Sequence, residues 1–378
     1  MSKTFVFAVQ GEGRGHLTQA IAAYEMLTSY GHKVAAVLIG SSDRRQVPDF
    51  VKARIKAPLI NIHSPNFVTD KNNKSIRIGK TISKNLQQWK RFRQSMNTIR
   101  RQIDELQPDI LLNFYEPLIG LCSLFQPLNT KIISVAHQFV YLHPEFKFPE
   151  GGNKIDRFAI KKYTALTATG SEKLLALSFY PFKQQFYKNI IVSAPLLRKE
   201  IGEQKLFKGD HLLVYILNSG YMQEIINWHN QHPEISIHCF TDSKTVKGKW
   251  HFDDTLCFHS LDDQKFLQYM ATAKALVTTA GFESVCEAMY LGKPVLMVPV
   301  KGHFEQWCNA RDGDKAGAGI YADGFNLDLL LEYLPYYENK SDEFIQWCRQ
   351  TRYSMMLCFA EVLHQQAEDH FPFSPAMT

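Results

Sequence analysis

Long hydrophobic runs are missing from this 378-residue chain. The longest apolar stretch, 110–128, is broken by Asn113, Glu116, Pro117 and Gln126, and a bilayer-spanning helix of about 20 residues would strand those groups in hydrocarbon. Near the start only Phe5 to Val9 is apolar before a glycine-rich turn, too short for the core of a signal peptide. Paired cysteine motifs are missing too: the seven cysteines are odd in number, scattered, and never spaced C-x-x-C. A disulfide framework is excluded, and a reducing cytoplasm is the expected compartment. Strong charge imbalance is absent, with 43 Lys and Arg against 37 Asp and Glu for a net +6. With 45% apolar residues, no short internal repeat and no low-complexity tract, collagen-like and disordered chains are excluded.

What is present is an alternation of short β-rich runs with helical stretches. In the first half it reads 4–10, a helix over 17–30, then 32–39, a βαβ unit, with further strands expected at 59–63, 110–114 and 131–136. The second half starts again at 211–217, with a helix at 222–229 and strands at 237–240, 256–260, 275–278 and 295–298. The expected fold class is α/β: two Rossmann-like, doubly wound domains, 1–192 and 211–340, facing a cleft. A linker is expected over 193–210, where charged residues outnumber apolar periodicity. The segment 341–378 is expected to supply a C-terminal helix packing across, with Ser341 as N-cap.

The first strand ends in Gly11-Glu12-Gly13-Arg14-Gly15-His16, which opens onto a helix. Ligands bind at such strand ends, and glycines let the backbone approach them. Dinucleotide binding loses support, because His16 stands at the third glycine position of G-x-G-x-x-G and no acidic residue closes the second strand. An imidazole at the mouth of a cleft can instead take a proton near neutral pH; the alternative is a helix-end histidine bonded to backbone.

In the second half, 278–294 reads as a strand, a glycine turn, a helix and a Gly292-Lys293-Pro294 stop. Thr279, Gly281, Phe282 and Ser284 surround that helix start, whose free N–H groups suit a phosphate. Glu287 could accept both hydroxyls of a ribose, or be a surface glutamate. After the next strand come His303, Glu305 and Gln306, side chains able to recognise sugar hydroxyls directionally. Asn218, Ser219 and Gly220 form a third loop with donors for a diphosphate.

This order, with T-x-x-G-x-x-x-x-x-E-A-x-x-x-G-K-P followed by E-Q-x-x-N-A, resembles the GT-B glycosyltransferases. It is most similar to the branch holding the peptidoglycan N-acetylglucosaminyltransferase and its relatives whose first motif reads G-x-G-x-G-H. The resemblance covers nearly the whole chain. It implies a nucleotide diphosphate sugar donor, UDP-linked, held by Gly281, Glu287 on the ribose, and Glu305 and Gln306 on the hexose. It also implies a hexosyl- or N-acetylhexosaminyltransferase that inverts the anomeric centre. Gly11, Gly13, Arg14 and Gly15 fall on the acceptor side. Asn113-Phe114-Tyr115-Glu116-Pro117, Ala136-His137-Gln138, Pro195 and Arg198 are shared with the same relatives. Glu116 and His137 follow apolar runs, so both are expected near strand ends facing the cleft, or else bonded to each other or to backbone.

Transfer needs an acceptor hydroxyl deprotonated as it attacks, and a stabilised leaving diphosphate. His16 is the expected base, with Glu116 and His137 as alternates. Helix N–H groups can carry the diphosphate charge, so no cofactor and no metal are expected; Asp312-Gly313-Asp314 has a D-x-D shape but reads as a surface turn. Competing readings are a UDP-N-acetylglucosamine 2-epimerase-like enzyme and an inactive sugar-nucleotide-binding protein.

Residues 71–101 contain ten Lys or Arg and no Asp or Glu, so the rest of the chain sums to −4. Lys84, Trp89, Lys90, Arg91 and Arg93, with Phe92, Met96 and Ile99 interleaved, suggest an anionic membrane surface or a lipid-linked acceptor. A solvated basic helix is the plainer alternative, and nucleic acid is disfavoured because no binding motif accompanies the charge. The expected location is therefore cytoplasmic, with peripheral attachment to the inner face of the membrane.

Overall fold

The computed structural model describes residues 2–42, 47–65, 85, 87–207, 209–243 and 245–363. The first domain runs β1 (Thr4–Gln10), α1 (Arg14–Ser29), β2 (Lys33–Ser41), α2 (Asp49–Arg54), β3 (Leu59–His63), α3 (Trp89–Leu106) and β4 (Ile110–Phe114). It continues with α4 (Pro117–Phe125), β5 (Lys131–Ala136), α5 (Lys154–Thr167), β6 (Lys173–Leu177), β7 (Phe186–Tyr187) and β8 (Ile190–Ser193). The second domain contains β9 (Leu212–Ile216), α6 (Met222–His229), β10 (Ile237–Thr241), β11 (Lys249–His251), β12 (Leu256–Ser260), α7 (Asp263–Thr272) and β13 (Ala275–Thr278). It ends with α8 (Phe282–Tyr290), β14 (Val295–Met297), α9 (Phe304–Lys315), β15 (Gly319–Tyr321) and α10 (Asp328–Tyr333), and α11 (Ser341–Cys348) and α12 (Thr351–Val362) follow.

The first sheet has the order β3-β2-β1-β4-β5-β6-β8-β7 and the second β11-β12-β10-β9-β13-β14-β15. Pairing is parallel except where the edge strands β7 and β11 join antiparallel. Both faces of a parallel sheet must be covered, and β1 shows how: Phe5, Phe7 and Val9 join one core cluster, Val6 and Ala8 another. In each sheet the strand order reverses direction at one place, between β1 and β4 and between β9 and β13. Ligands collect at such switch points, because the loops leaving the two strands diverge there.

The chain crosses from the first sheet to the second between Ser193 and Leu212, and Leu196 and Ile201 are buried along the way. The expected single C-terminal helix is two helices. α11 packs on α8 in the second domain and α12 returns to β6 and β8 in the first. Ser341 is not a cap: it opens α11, its N–H donates to Asn339 Oδ1, and Lys340 precedes it without a capping side chain. Among the described residues no helix is long and apolar enough to cross a membrane.

Candidate active site

One cavity of about 320 Å³ lies between the two switch points. The first domain contributes Gly13, Arg14, Gly15, His16, Gln19, Tyr115, His137 and Gln138; the second contributes Asn218, Asp263, Thr279, Gly281, Phe282, Glu283, Ser284, Glu287, His303, Glu305 and Gln306. Gly11 stands one step behind, where its N–H donates to the Gly40 carbonyl at 2.7 Å and turns the chain toward the cavity. Gly13 is the N-cap of α1, so the helix begins at Arg14, earlier than its apolar period suggests. His16 therefore sits in the first helical turn. The Arg14 guanidinium lies 5.3 Å from the Phe50 ring centroid. A Cβ on Gly15 would stand 3.2 Å from Glu283 Cγ, so the glycine lets α1 come close to α8.

His16 is buried, and desolvation lowers its pKa to about 4, with Gln19 acting weakly in the other direction. Its Nδ1 meets Gln19 Oε1 at 3.3 Å, and the Gln19 amide donates through Nε2 to Glu283 Oε1 at 2.6 Å across the domain boundary. Glu283 is pushed up to about 8 by burial. Its Oε2 has no partner among the described residues.

Two other carboxylates of the second domain are engaged in the same way. Glu305 accepts from Gln138 Nε2 at 2.9 Å, and burial raises it to about 7. Glu287 accepts from Arg198 Nε at 2.7 Å, while the same guanidinium reaches Asp263. Burial pushes the Glu287 carboxyl up and Arg198 pulls it part of the way back; Arg198, which desolvation alone would lower, is raised by its two acidic neighbours. Glu287 is thus not a surface residue, at 3% exposure.

His137 donates through Nδ1–H to the Leu177 carbonyl, 2.7 Å away, and stacks on Phe282 at 3.9 Å between centroids and 14° between planes. Burial lowers it to about 4. The Phe282 stack joins the domains and leaves His137 an interface residue at the cavity wall. Glu116, expected to face the cleft, does not reach it. Its Oε1 accepts from Ser64 Oγ at 2.6 Å and from the Leu118 N–H at 3.1 Å, which caps α4. A Cβ on Gly40 would overlap its carboxylate. Burial raises Glu116 to about 7.

Around the α8 start, Ala280 has φ 58°, a left-handed conformation that aims Gly281 and Phe282 into the cavity. Tyr115 has φ 60° at the matching place after β4. Such strain in a non-glycine residue accompanies functional turns. Ser284 Oγ donates to the Gly281 carbonyl at 3.1 Å. Asn218 lines the cavity, whereas Ser219 and Gly220 continue into a 3₁₀ turn outside its lining. His303 caps α9 by accepting the Gln306 N–H at 3.4 Å, and burial lowers it to about 4; Gln306 Oε1 accepts from the Val300 N–H at 2.9 Å.

Asp312-Gly313-Asp314 is not a surface turn. It lies in the last turns of α9, and buried Asp312 accepts from Tyr180 Oη at 2.6 Å, joining the domains outside the cavity lining.

Of the basic segment, Lys84 lies outside the described residues. Lys90, Arg91 and Arg93 are exposed on α3, but Phe92, Met96 and Ile99 point inward as core against the sheet. Trp89 remains 43% exposed, edge-on to Phe125 at 6.0 Å.

A family model for glycosyl transferase family 1 matches residues 3–335. The chain belongs to that family. Among solved structures, the kitacinnamycin glycosyltransferase is 15% identical with a TM-score of 0.60, over 97% of this chain and 99% of that one. MurG of Acinetobacter baumannii is 13% identical with a TM-score of 0.55, over 96% and 100%. Phytolacca americana UGT2, complexed with UDP-2fluoro-glucose and pterostilbene, is 11% identical with a TM-score of 0.56, over 96% and 95%. No curated protein matched the sequence. The fold is GT-B, and the protein is a glycosyltransferase.

Sequence reasoning missed Gln19 as the partner of His16 and Glu283 as a cavity residue. Gln19 had a signal, since i and i+3 share a helix face. Glu283 had none, because its partner is 264 residues away.

Proposed function

We propose that this glycosyltransferase moves a hexosyl or N-acetylhexosaminyl group from a UDP-sugar to a hydroxyl acceptor with inversion, His16 being the general base. The observation that carries this reading is the position of His16 in a cavity whose opposite wall is the start of α8. Because Gln19 Nε2 donates to Glu283, its Oε1 turns toward His16 and accepts the Nδ1 proton. That fixes the tautomer and leaves Nε2 with a lone pair for the acceptor hydroxyl. Burial keeps the ring neutral down to about pH 4, so the base is present throughout the physiological range. A positioned base of this kind contributes about 10²–10⁴-fold.

The leaving diphosphate is taken up by N–H groups at Gly281–Ser284 and by the Asn218 loop, the positive end of α8 offsetting its growing charge. No metal is invoked. Ribose hydroxyls bind Glu287 beside its Arg198 partner, and hexose hydroxyls bind Glu305 and Gln306. The UDP-2fluoro-glucose complex of the Phytolacca structure supports a UDP donor.

The acceptor enters over Gly13, Arg14 and Gly15. Exposed Lys90, Arg93 and Trp89 support an anionic, lipid-linked acceptor and peripheral docking of the first domain on a membrane.

Incubation with UDP-, GDP- and dTDP-sugars, scoring nucleotide release, the anomeric configuration of product and any epimer, tests the reading. Inverted product with UDP release is expected; an epimer without release, or binding with no turnover beside a hydroxyl acceptor panel, would overturn it.

A further inference from the structure

Away from the cavity, at the other edge of the second sheet, His238, Cys257 and His259 bring two imidazole nitrogens and a thiol within 4.8 Å of one another. Strand register produces the cluster. On β10 and β12, His238 pairs with Cys257 and Phe240 with His259, and side chains two apart on a strand share a face. On the antiparallel edge strand β11, His251 pairs with Cys257 and Lys249 with His259. One face of the edge thus carries three histidines and a cysteine across three strands.

We infer that these residues form a transition-metal site, binding one zinc ion through His238 Nδ1, Cys257 Sγ and His259 Nε2, with His251 closing the tetrahedron. His238 Nδ1 and His259 Nε2 stand 3.0 Å apart, sharing one proton where a metal would take both lone pairs. Two nitrogens at about 2.0–2.1 Å from a tetrahedral zinc are about 3.3 Å apart, so the rings need part by only a few tenths of an ångström. Both rings are neutral at pH 7, burial holding each near 4. Burial pushes the Cys257 thiol up and Lys249 pulls it part of the way back, so the thiol gives up its proton to solvent only as the metal binds.

His251 is exposed, and directly opposed strand residues have Cβ atoms about 4.5–5.5 Å apart, within reach of a side-chain rotation. The surroundings fit a structural site. His259 stacks on Phe240 at 4.7 Å and 14°, and His238 lies 4.4 Å from Tyr269, so both ligand rings are held from behind. β11 is a three-residue edge strand, exposed throughout, and the metal would staple it to the sheet. Thiolate with imidazoles in this number is the donor set of zinc rather than of magnesium or calcium.

The test is cobalt titration of EDTA-stripped full-length protein, followed by zinc competition. The expected result is saturation at one Co(II) per chain with a thiolate-to-cobalt band, bleached by zinc. Cys257→Ser loses the band, and His238→Ala and His251→Ala each weaken binding by at least about tenfold, as outer or inner ligand losses do. Zinc near 100 times its Kd raises Tm by several degrees in wild type and not in His238→Ala. Absence of saturable absorption, or a band that survives Cys257→Ser, overturns the site. Should Cys257→Ser not fold, unchanged cobalt affinity in both partly exposed histidine variants overturns it equally.

Discussion

The Gln19 side chain joins the domains end to end: one end of its amide meets His16 Nδ1 at 3.3 Å and the other donates to Glu283 Oε1 at 2.6 Å. A residue of the second domain therefore sets the orientation of the imidazole in the first, and the base we propose is complete only when the domains are together.

His16→Ala is expected to lower kcat by about 10²–10⁴-fold while donor affinity stays within a few-fold of wild type. Gln19→Leu, which keeps the bulk and removes the amide, should lower kcat less than His16→Ala does and leave donor binding intact. Steady-state kinetics beside donor titration check both. Near-normal turnover in His16→Ala with donor still bound assigns the base elsewhere.

Glu116 is expected to matter for stability and not for chemistry. Gly40→Ala places a Cβ against the Glu116 carboxylate and should destabilise by more than about 1 kcal/mol, as overpacking does. In Glu116→Ala the same Gly40 substitution should be markedly less harmful, despite the lost cap on α4. Additive Tm losses in the double variant would show that the two positions do not touch.

Stability of the unliganded protein should be level between about pH 4.5 and 6.5, where three buried carboxyls and three buried histidines act in opposite directions, and fall above that. Glu116, Glu283 and Glu305 have folded values raised to about 7, 8 and 7, so they favour the native state fully below about 4.5 and lose that contribution as pH rises to 8. His16, His137 and His303 are lowered to about 4, so their contribution is present above about 6.5 and lost as pH falls toward 4. Between 6.5 and 8 only the carboxyls act, and Tm declines. Glu283→Gln should flatten that decline; an unchanged alkaline slope would mean Glu283 does not titrate there.

Binding to vesicles of anionic lipid should fall by roughly 30-fold in Lys90→Gln with Arg93→Gln, two residues at about 1 kcal/mol each. Trp89→Ala should weaken it further. Flotation with equal recovery from anionic and neutral vesicles would discard membrane docking.

Strands 110–114, 131–136, 256–260 and 275–278 were legible to the residue, because buried parallel strands are largely apolar runs bounded by turn residues. α1 was read too short at its start, since its first turn is Arg14-Gly15-His16 and carries no apolar residue. Glu116 was misplaced because a glutamate after a strand can face the cleft or cap the next helix, and Pro117 with Gly40 decides for capping through a neighbour far away in sequence. Asp312 shows the same limit: D-G-D reads as a loop until the Tyr180 hydroxyl covers it.

By itself the sequence determined the two βα series, the GT-B resemblance and the roll of residues at the strand ends, because periodicity and turn chemistry act over a few residues. Only the tertiary structure decided which of those residues meet. Gln19 with Glu283, Gln138 with Glu305 and His238 with His259 are pairings of atoms a few ångströms apart, fixed by how sheets and domains pack, and no local pattern encodes that distance.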